Sequence, residues 1–160
     1  MKTIVGVLPW AVVLAAIGIA IWWLLSKEMT AGRWLLAGLL VGHGLVHLMF
    51  AVPSPAATEG SPEWPFDMAR SWIVSSAGLD LTLVRVIGAA LIAVVVIGLA
   101  LAALSTVGIV VPSGWWQPAV ACSAVASAVL LVLFFQPQLV LGLGIDATLL
   151  WVVTTRAWVP

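Results

Sequence analysis

Long apolar runs separated by short polar breaks dominate the chain. Ile4 to Leu25 contains no charged residue, and neither does Trp34 to Val52. Val86 to Ile145 is also uncharged, which is too long for one membrane-spanning helix of ~20 residues. The turn signals Pro112-Ser113-Gly114 and Gln136-Pro137-Gln138 divide this third run. The pattern predicts an all-α integral membrane bundle of five transmembrane helices, at about 4–25, 33–52, 81–104, 115–135 and 139–155.

Two of these spans have an alternative interpretation. The fifth span is the shortest and carries Asp146, so the alternative is four helices followed by a short fifth. The first span follows Lys2 and could instead be a signal peptide. Its apolar stretch is longer than a usual signal-peptide core, and no small-residue cleavage site precedes Ser26. We therefore expect the first span to be retained.

The segment 53–80 is the one sizeable polar stretch. Pro53 to Pro65 is rich in Pro, Ser, Ala and Gly, which predicts an irregular loop. The mixture of apolar and polar residues from Phe66 to Ala77 predicts a short amphipathic helix in the membrane interface. Trp64, Phe66 and Trp72 are the expected interfacial anchors.

Asp80 stands where the third span is expected to begin. A carboxylate at this position can accept hydrogen bonds from the first free N–H groups of a helix. We therefore expect Asp80 to be the N-cap of the third span, with Thr82 or Leu83 as its donor.

Basic residues suggest an orientation for the bundle. The short 26–33 loop carries Lys27 and Arg33, and the C-terminal tail carries Arg156. Positively charged short loops favour the cytoplasmic side. With five spans, the 26–33 loop and the C-terminus are then inside and the N-terminus is outside.

Composition narrows the class of protein. Hydrophobic residues make up 64% of the 160 residues, charged residues 8%, and the formal net charge is zero. Soluble domains are about 45–50% apolar and about 25% charged, so a soluble domain is excluded. A nucleic-acid binder would need a basic surface and is excluded as well. We expect a multi-pass protein of the plasma membrane, with lipid as its main partner and other membrane subunits or a second copy as further partners.

Three ionisable residues fall inside the predicted spans: His43, His47 and Asp146. Each is costly in hydrocarbon, so each is a candidate for function. The two histidines are four residues apart and share one helix face. At ~1.5 Å per residue, His43, His47 and Asp146 lie at similar depth from the same end of the bundle. We expect Asp146 to hydrogen-bond to one of the histidines, with Ser123 or Ser127 as a neighbour.

This group of side chains allows three kinds of chemistry. Two histidines and a carboxylate can ligate zinc or non-haem iron, so His43, His47 and Asp146 are candidate metal ligands. A quinone headgroup could instead hydrogen-bond to a histidine. The third interpretation is structural, because polar pairs hold membrane helices together and need no cofactor. A haem with both axial ligands from His43 and His47 is excluded, since neighbours on one helix cannot reach opposite faces of a porphyrin.

Gly38 and Gly42 form a GxxxG pair in the second span. Such a pair lets another helix approach closely. The alanine-rich face of the fourth span is the expected partner, and dimerisation is the alternative.

The sequence contains none of the catalytic motifs GxSxG, HExxH, CxxC or a Walker loop. We therefore expect a non-enzymatic structural or accessory subunit of a membrane assembly. The alternative is a membrane protein whose His/Asp site binds a metal or a quinone, with a link to redox chemistry.

One stretch of the second span, Gly42-His43-Gly44-Leu45-Val46-His47-Leu48, carries a resemblance. Together with Trp64-Pro65-Phe66-Asp67 and Arg70-Ser71-Trp72, it resembles an uncharacterised family of small polytopic bacterial membrane proteins. The likeness covers about residues 33–155 and implies a helical membrane fold without an established activity. A fainter similarity is to DoxX-like proteins, in which a lysine stands where this chain has His47.

Overall fold

The structure is a computed structural model that describes residues 2–55, 64–72, 76 and 78–160. The described residues contain five long helices: α1 (Lys2–Ser26), α2 (Thr30–His47), α3 (Leu81–Val107), α4 (Trp116–Leu133) and α5 (Val140–Thr155). Single 3-10 turns extend α2 over Leu48–Ala51 and precede α4 and α5 over Ser113–Trp115 and Pro137–Leu139. With these turns, all five helices are long and apolar enough to cross a membrane. The predicted all-α bundle is confirmed, including its short fifth helix.

The helix α4 lies at the centre of the bundle and α1 lies at its edge. Half of the apolar window of α4 is buried inside the protein, against 11% for α1. The helix α3 packs against both α2 and α4, and α5 packs against α4. The first helix contacts mainly α2, so most of its surface is left to lipid.

Close helix contacts depend on Gly98 rather than on the predicted glycine pair. A Cβ atom at Gly98 of α3 would overlap Ser123 Oγ of α4. A Cβ atom at Gly38 or Gly42 would meet no described atom within 4 Å. The expectation that these two glycines pack against the fourth span is therefore wrong. The space beside them is open because α2 packs mainly against α3 and α1.

Asp80 caps α3 as predicted. Its Oδ1 accepts from the backbone N–H groups of Leu83, at 3.1 Å, and of Thr82, at 2.9 Å. Because these bonds favour the charged form, the Leu83 N–H first, the pKa of Asp80 is lowered from its ordinary 3.8. At the other end of α3, Gly108 adopts the left-handed conformation (φ 71°) that commonly ends a helix.

The described part of the 64–78 segment differs from the predicted interfacial helix. Met68–Arg70 forms one 3-10 turn capped by Asp67, and the backbone then becomes extended at Ser71 (ψ 132°). The prediction of a helix that begins at Phe66 is thus wrong, whereas Trp72 and Ser76 are helical and residues 73–75 and 77 lie outside the described residues. Ser71 Oγ donates to Leu133 O at 2.6 Å and Trp72 Nε1 to Val132 O at 2.8 Å. The extended turn lets these side chains bind carbonyls that the end of α4 leaves free.

Candidate functional site

The three ionisable residues of the spans lie in one buried group. His43 Nε2 is 2.9 Å from Asp146 Oδ1, which is the predicted hydrogen bond between α2 and α5. His43 is 7% exposed and Asp146 is 1% exposed, although 103 positions separate them in the sequence. Their equal depth in the bundle made this pairing predictable.

Ser127 of α4 joins Asp146 to the second histidine. Its Oγ donates to Asp146 Oδ2 at 2.6 Å and lies 2.8 Å from His47 Nε2. Ser123, the other serine considered, instead donates to the Ala119 carbonyl of its own helix at 2.7 Å. Of the two serines, Ser127 is therefore the neighbour of the histidine–aspartate pair.

His47 is also held by its own helix. Its Nδ1 lies 2.8 Å from the backbone oxygen of His43, one turn earlier. The two rings stand perpendicular, with their centroids 4.9 Å apart. We refer to His43, His47, Ser127 and Asp146 together as the polar cluster. It connects α2, α4 and α5 through side chains that are all buried.

The geometry of the polar cluster is that of hydrogen bonding rather than metal ligation. A zinc site needs nitrogen and oxygen ligands that point at one ion from about 2.0–2.2 Å. Here His43 Nε2 and Asp146 Oδ1 point at each other. Within the part of the chain that the structure describes, no three His, Cys, Asp or Glu side chains are grouped to hold a metal ion.

A cavity of about 480 Å³ opens beside the two histidines. It lies between α1, α2 and α5, and Phe50 and Phe66 form one wall, with ring centroids 5.2 Å apart. Gly38 and Gly42 form another wall and leave its volume free. We refer to this space as the head cavity. Its size is that of a small-molecule site, which is typically about 300–1,000 Å³.

The head cavity contains polar atoms that lack a partner. The Oε1 atom of Gln138 is buried and forms no hydrogen bond within the described part of the chain. His43 uses Nε2 for Asp146, and none of the described residues bonds to its Nδ1. Both atoms are acceptors when the histidine is neutral and donates from Nε2. A buried acceptor such as Gln138 Oε1 is costly without a donor, so the lining favours a ligand that brings hydroxyl groups.

A larger apolar groove adjoins the head cavity. It measures about 810 Å³ and lies between α1 and α5. The two spaces share the side chains of Leu14, Leu39, Leu141 and Ile145. We refer to it as the tail groove. Because α1 packs loosely, an apolar chain in the tail groove can extend directly into the surrounding lipid.

No protein-family model, curated protein or solved structure matches the chain. The resemblance to small polytopic bacterial membrane proteins therefore stays a prediction.

Sequence reasoning missed the role of Gln138. It was read as part of the break between the fourth and fifth spans, because Gln136-Pro137-Gln138 is a turn signal. The position of Gln138 was the signal that could have indicated this role. An amide in the first turn of a span can point into the bundle as well as out of it. The 3-10 turn Pro137–Leu139 places the side chain of Gln138 in the lining of the head cavity.

Proposed function

We propose that the protein is a non-enzymatic membrane protein that binds a quinone-type lipid, with the headgroup in its hydroxyl-bearing reduced form. The observation that carries the proposal is the head cavity, which combines a buried unpartnered amide at Gln138, an aromatic wall and a histidine. A hydroquinone ring supplies what this lining lacks. Its hydroxyl groups can donate to Gln138 Oε1 and His43 Nδ1, and its flat ring can stack on Phe50 or Phe66.

The tail groove supports a lipid rather than a small polar molecule. A quinone-type lipid has a polar ring and a long apolar tail. The head cavity and the tail groove share four side chains, so one molecule can occupy both spaces. The helices α1 and α5 make few contacts with each other, and an apolar tail in the tail groove would fill the space between them.

The size of the head cavity argues against a protein helix as its occupant. A helix with its side chains is about 10–12 Å wide and needs a continuous groove along its length. The head cavity is closed at one side by Phe50 and Phe66 and holds about 480 Å³. This volume suits a ring with its substituents.

A structural or accessory subunit is the second candidate function. The specific observation in its favour is that three contacts of the polar cluster join α2, α4 and α5 without any ligand. Under this function the head cavity is filled by ordinary lipid, and the protein contributes only a rigid bundle to an assembly.

Ligand titration separates the two functions. The full chain in phosphatidylcholine nanodiscs is titrated with an alkyl-substituted benzohydroquinone, with tryptophan quenching as the signal. We expect saturable binding that Gly42→Leu weakens by about tenfold or more, equivalent to ~1.4 kcal/mol. A Cβ atom at Gly42 would meet no described atom within 4 Å, and leucine favours a helix more than glycine does, so the variant should fold. Gly114→Leu, in the 3-10 turn before α4, is the matched control and should bind normally.

A second variant tests the tail groove. Gly18 of α1 lines the tail groove, and a Cβ atom there would meet no described atom within 4 Å. We expect Gly18→Leu to weaken the binding of a long-tailed hydroquinone more than the binding of a hydroquinone without a tail. Wild-type protein that shows no saturable binding, or Gly42→Leu protein that binds as well as wild type, would refute the proposed function and leave the accessory-subunit function.

A further inference from the structure

The hydrogen bonds of the polar cluster fix how many protons it holds. Four contacts join its members: His43 to Asp146, Asp146 to Ser127, Ser127 to His47, and His47 to the backbone oxygen of His43. Each lies between 2.6 and 2.9 Å, and each needs one hydrogen between its two heavy atoms. A complete cluster therefore needs four hydrogens.

The groups in their ordinary states supply only three. Neutral His43 provides one N–H, which lies on Nε2 when it faces Asp146. Neutral His47 also provides one N–H, and it must lie on Nδ1, because a backbone carbonyl can only accept. The Ser127 hydroxyl provides the third hydrogen, and an ionised Asp146 provides none.

The missing hydrogen affects the two contacts that Ser127 makes with His47 and Asp146. With His47 neutral and Asp146 ionised, both His47 Nε2 and Asp146 Oδ2 are acceptors facing the same hydroxyl. One O–H can satisfy only one of them. The other contact would then place two lone pairs against each other at hydrogen-bond distance.

We propose that the polar cluster is an intramembrane proton-binding site that holds one proton, shared between Asp146 and His47 through Ser127. With the proton on Asp146, its Oδ2–H donates to Ser127 Oγ, and the Ser127 O–H donates to His47 Nε2. With the proton on His47, its Nε2–H donates to Ser127 Oγ, and the Ser127 O–H donates to Asp146 Oδ2. Moving between these states shifts one hydrogen across each contact, so atoms and charge balance and no heavy atom needs to move.

The net charge of the polar cluster also supports a count of four hydrogens. With three hydrogens the polar cluster carries one net negative charge in a buried site, whereas with four it is neutral overall. An uncompensated charge at this depth is costly, and a bound proton removes it.

The surroundings offer no other compensating charge. The helix α4 contributes the Ser127 hydroxyl and α2 and α5 contribute the titrating groups themselves. Among the described side chains, the remaining ionisable residues of the spans are exposed: Arg33, Arg85 and Cys122. The arginines stand within the first two turns of α2 and α3. The proton is therefore the available counter-charge.

The head cavity supplies a route for proton exchange. His43 and His47 both line it, so a water molecule or a ligand hydroxyl in the cavity can reach the polar cluster. The proton site does not rest on the proposed quinone-type ligand, because the count uses only groups of the chain.

Asp146→Asn separates the proton from the hydrogen bonds. An asparagine can accept from His43 through Oδ1 and donate to Ser127 through Nδ2, which frees the Ser127 hydroxyl to donate to His47. This variant completes all four contacts with neutral groups and needs no bound proton. Asp80→Asn is the matched control, since it makes the same chemical change outside the membrane and keeps an effective cap.

The test measures proton release and stability together on the full chain in phosphatidylcholine vesicles. As the pH rises above neutrality, we expect wild-type protein to lose one infrared carboxylic-acid or imidazolium signal and to release one proton per chain. Its melting temperature should fall over the same interval, because the folded state binds a proton that the unfolded state does not. Asp80→Asn should behave like wild type, and Asp146→Asn should lack both the signal and the alkaline fall.

Two results would overturn the proposal. The first is wild-type protein in which Asp146 is ionised and both imidazoles are neutral at neutral pH, read from infrared and nitrogen NMR spectra. The second is an alkaline melting profile of Asp146→Asn that matches wild type. Because the spectra are read on wild-type protein, they decide the question even if a variant fails to fold.

Discussion

A double-mutant cycle between His43 and Asp146 measures how strongly the polar cluster holds α2 to α5. His43→Leu removes the group that bonds Asp146 Oδ1, and Asp146→Leu removes the group that bonds His43 Nε2. Each change leaves a buried polar atom without its partner, which costs about 1–3 kcal/mol. The double variant removes both atoms, so its loss of stability should be smaller than the sum of the single losses. We expect a coupling of about 0.6–1.7 kcal/mol, which runs from the average to the largest value that double-mutant cycles between membrane helices give.

The assay is unfolding in mixed micelles with an increasing fraction of sodium dodecyl sulfate, followed by tryptophan fluorescence. Ser105→Ala combined with His43→Leu is the control pair. Ser105 is also buried, but its hydroxyl bonds the Pro112 carbonyl and shares no partner with His43. The control pair should be additive within about 0.3–0.5 kcal/mol. A coupling of the same small size between His43 and Asp146 would refute the argument that their hydrogen bond stabilises the bundle.

Three further predictions concern other parts of the chain. Gly98→Val should destabilise the bundle by roughly 1–3 kcal/mol in the same assay, because its Cβ overlaps α4, whereas Gly38→Val should have little effect. Asp80 has a lowered pKa in the folded state, so its stabilising contribution is present above the ordinary value of 3.8 and is lost as the pH falls through the folded value. Melting of wild-type protein should thus show an acid-dependent loss that Asp80→Asn lacks, and equal acid profiles would contradict it. Reporter fusions after Lys27 and Pro160 should report the same compartment, and opposite compartments would exclude the five-span topology.

The fold was largely predictable because it follows from length and hydropathy. A membrane span needs a run of apolar residues, and the turn signals around Pro112 and Pro137 divide the long third run where α3, α4 and α5 are separated. The cap at Asp80 was predictable for a similar local reason. Each of these inferences uses residues close together in the sequence.

The packing partners were less predictable because they depend on which face of a helix turns inward. Gly38 and Gly42 match the GxxxG packing motif, but the close contact between α3 and α4 occurs at Gly98, which lies outside that motif. The pairing of Asp146 with His43 was predictable from their similar depth in the membrane, because a lone ionisable group is costly there and needs a partner. Depth alone did not separate Ser123 from Ser127, because the choice requires the rotation of α4 about its axis.

The polar cluster also constrains the order in which the protein can be completed during synthesis. Asp146 follows His43 by 103 positions and lies on α5. Until α5 is inserted, the imidazole of His43 and the hydroxyl of Ser127 lack the carboxylate that joins them. Before α5 inserts, these two polar groups stand in an apolar environment, where they are costly. The insertion of α5 therefore completes the polar cluster, and the packing of α2, α4 and α5 around it cannot close before that step.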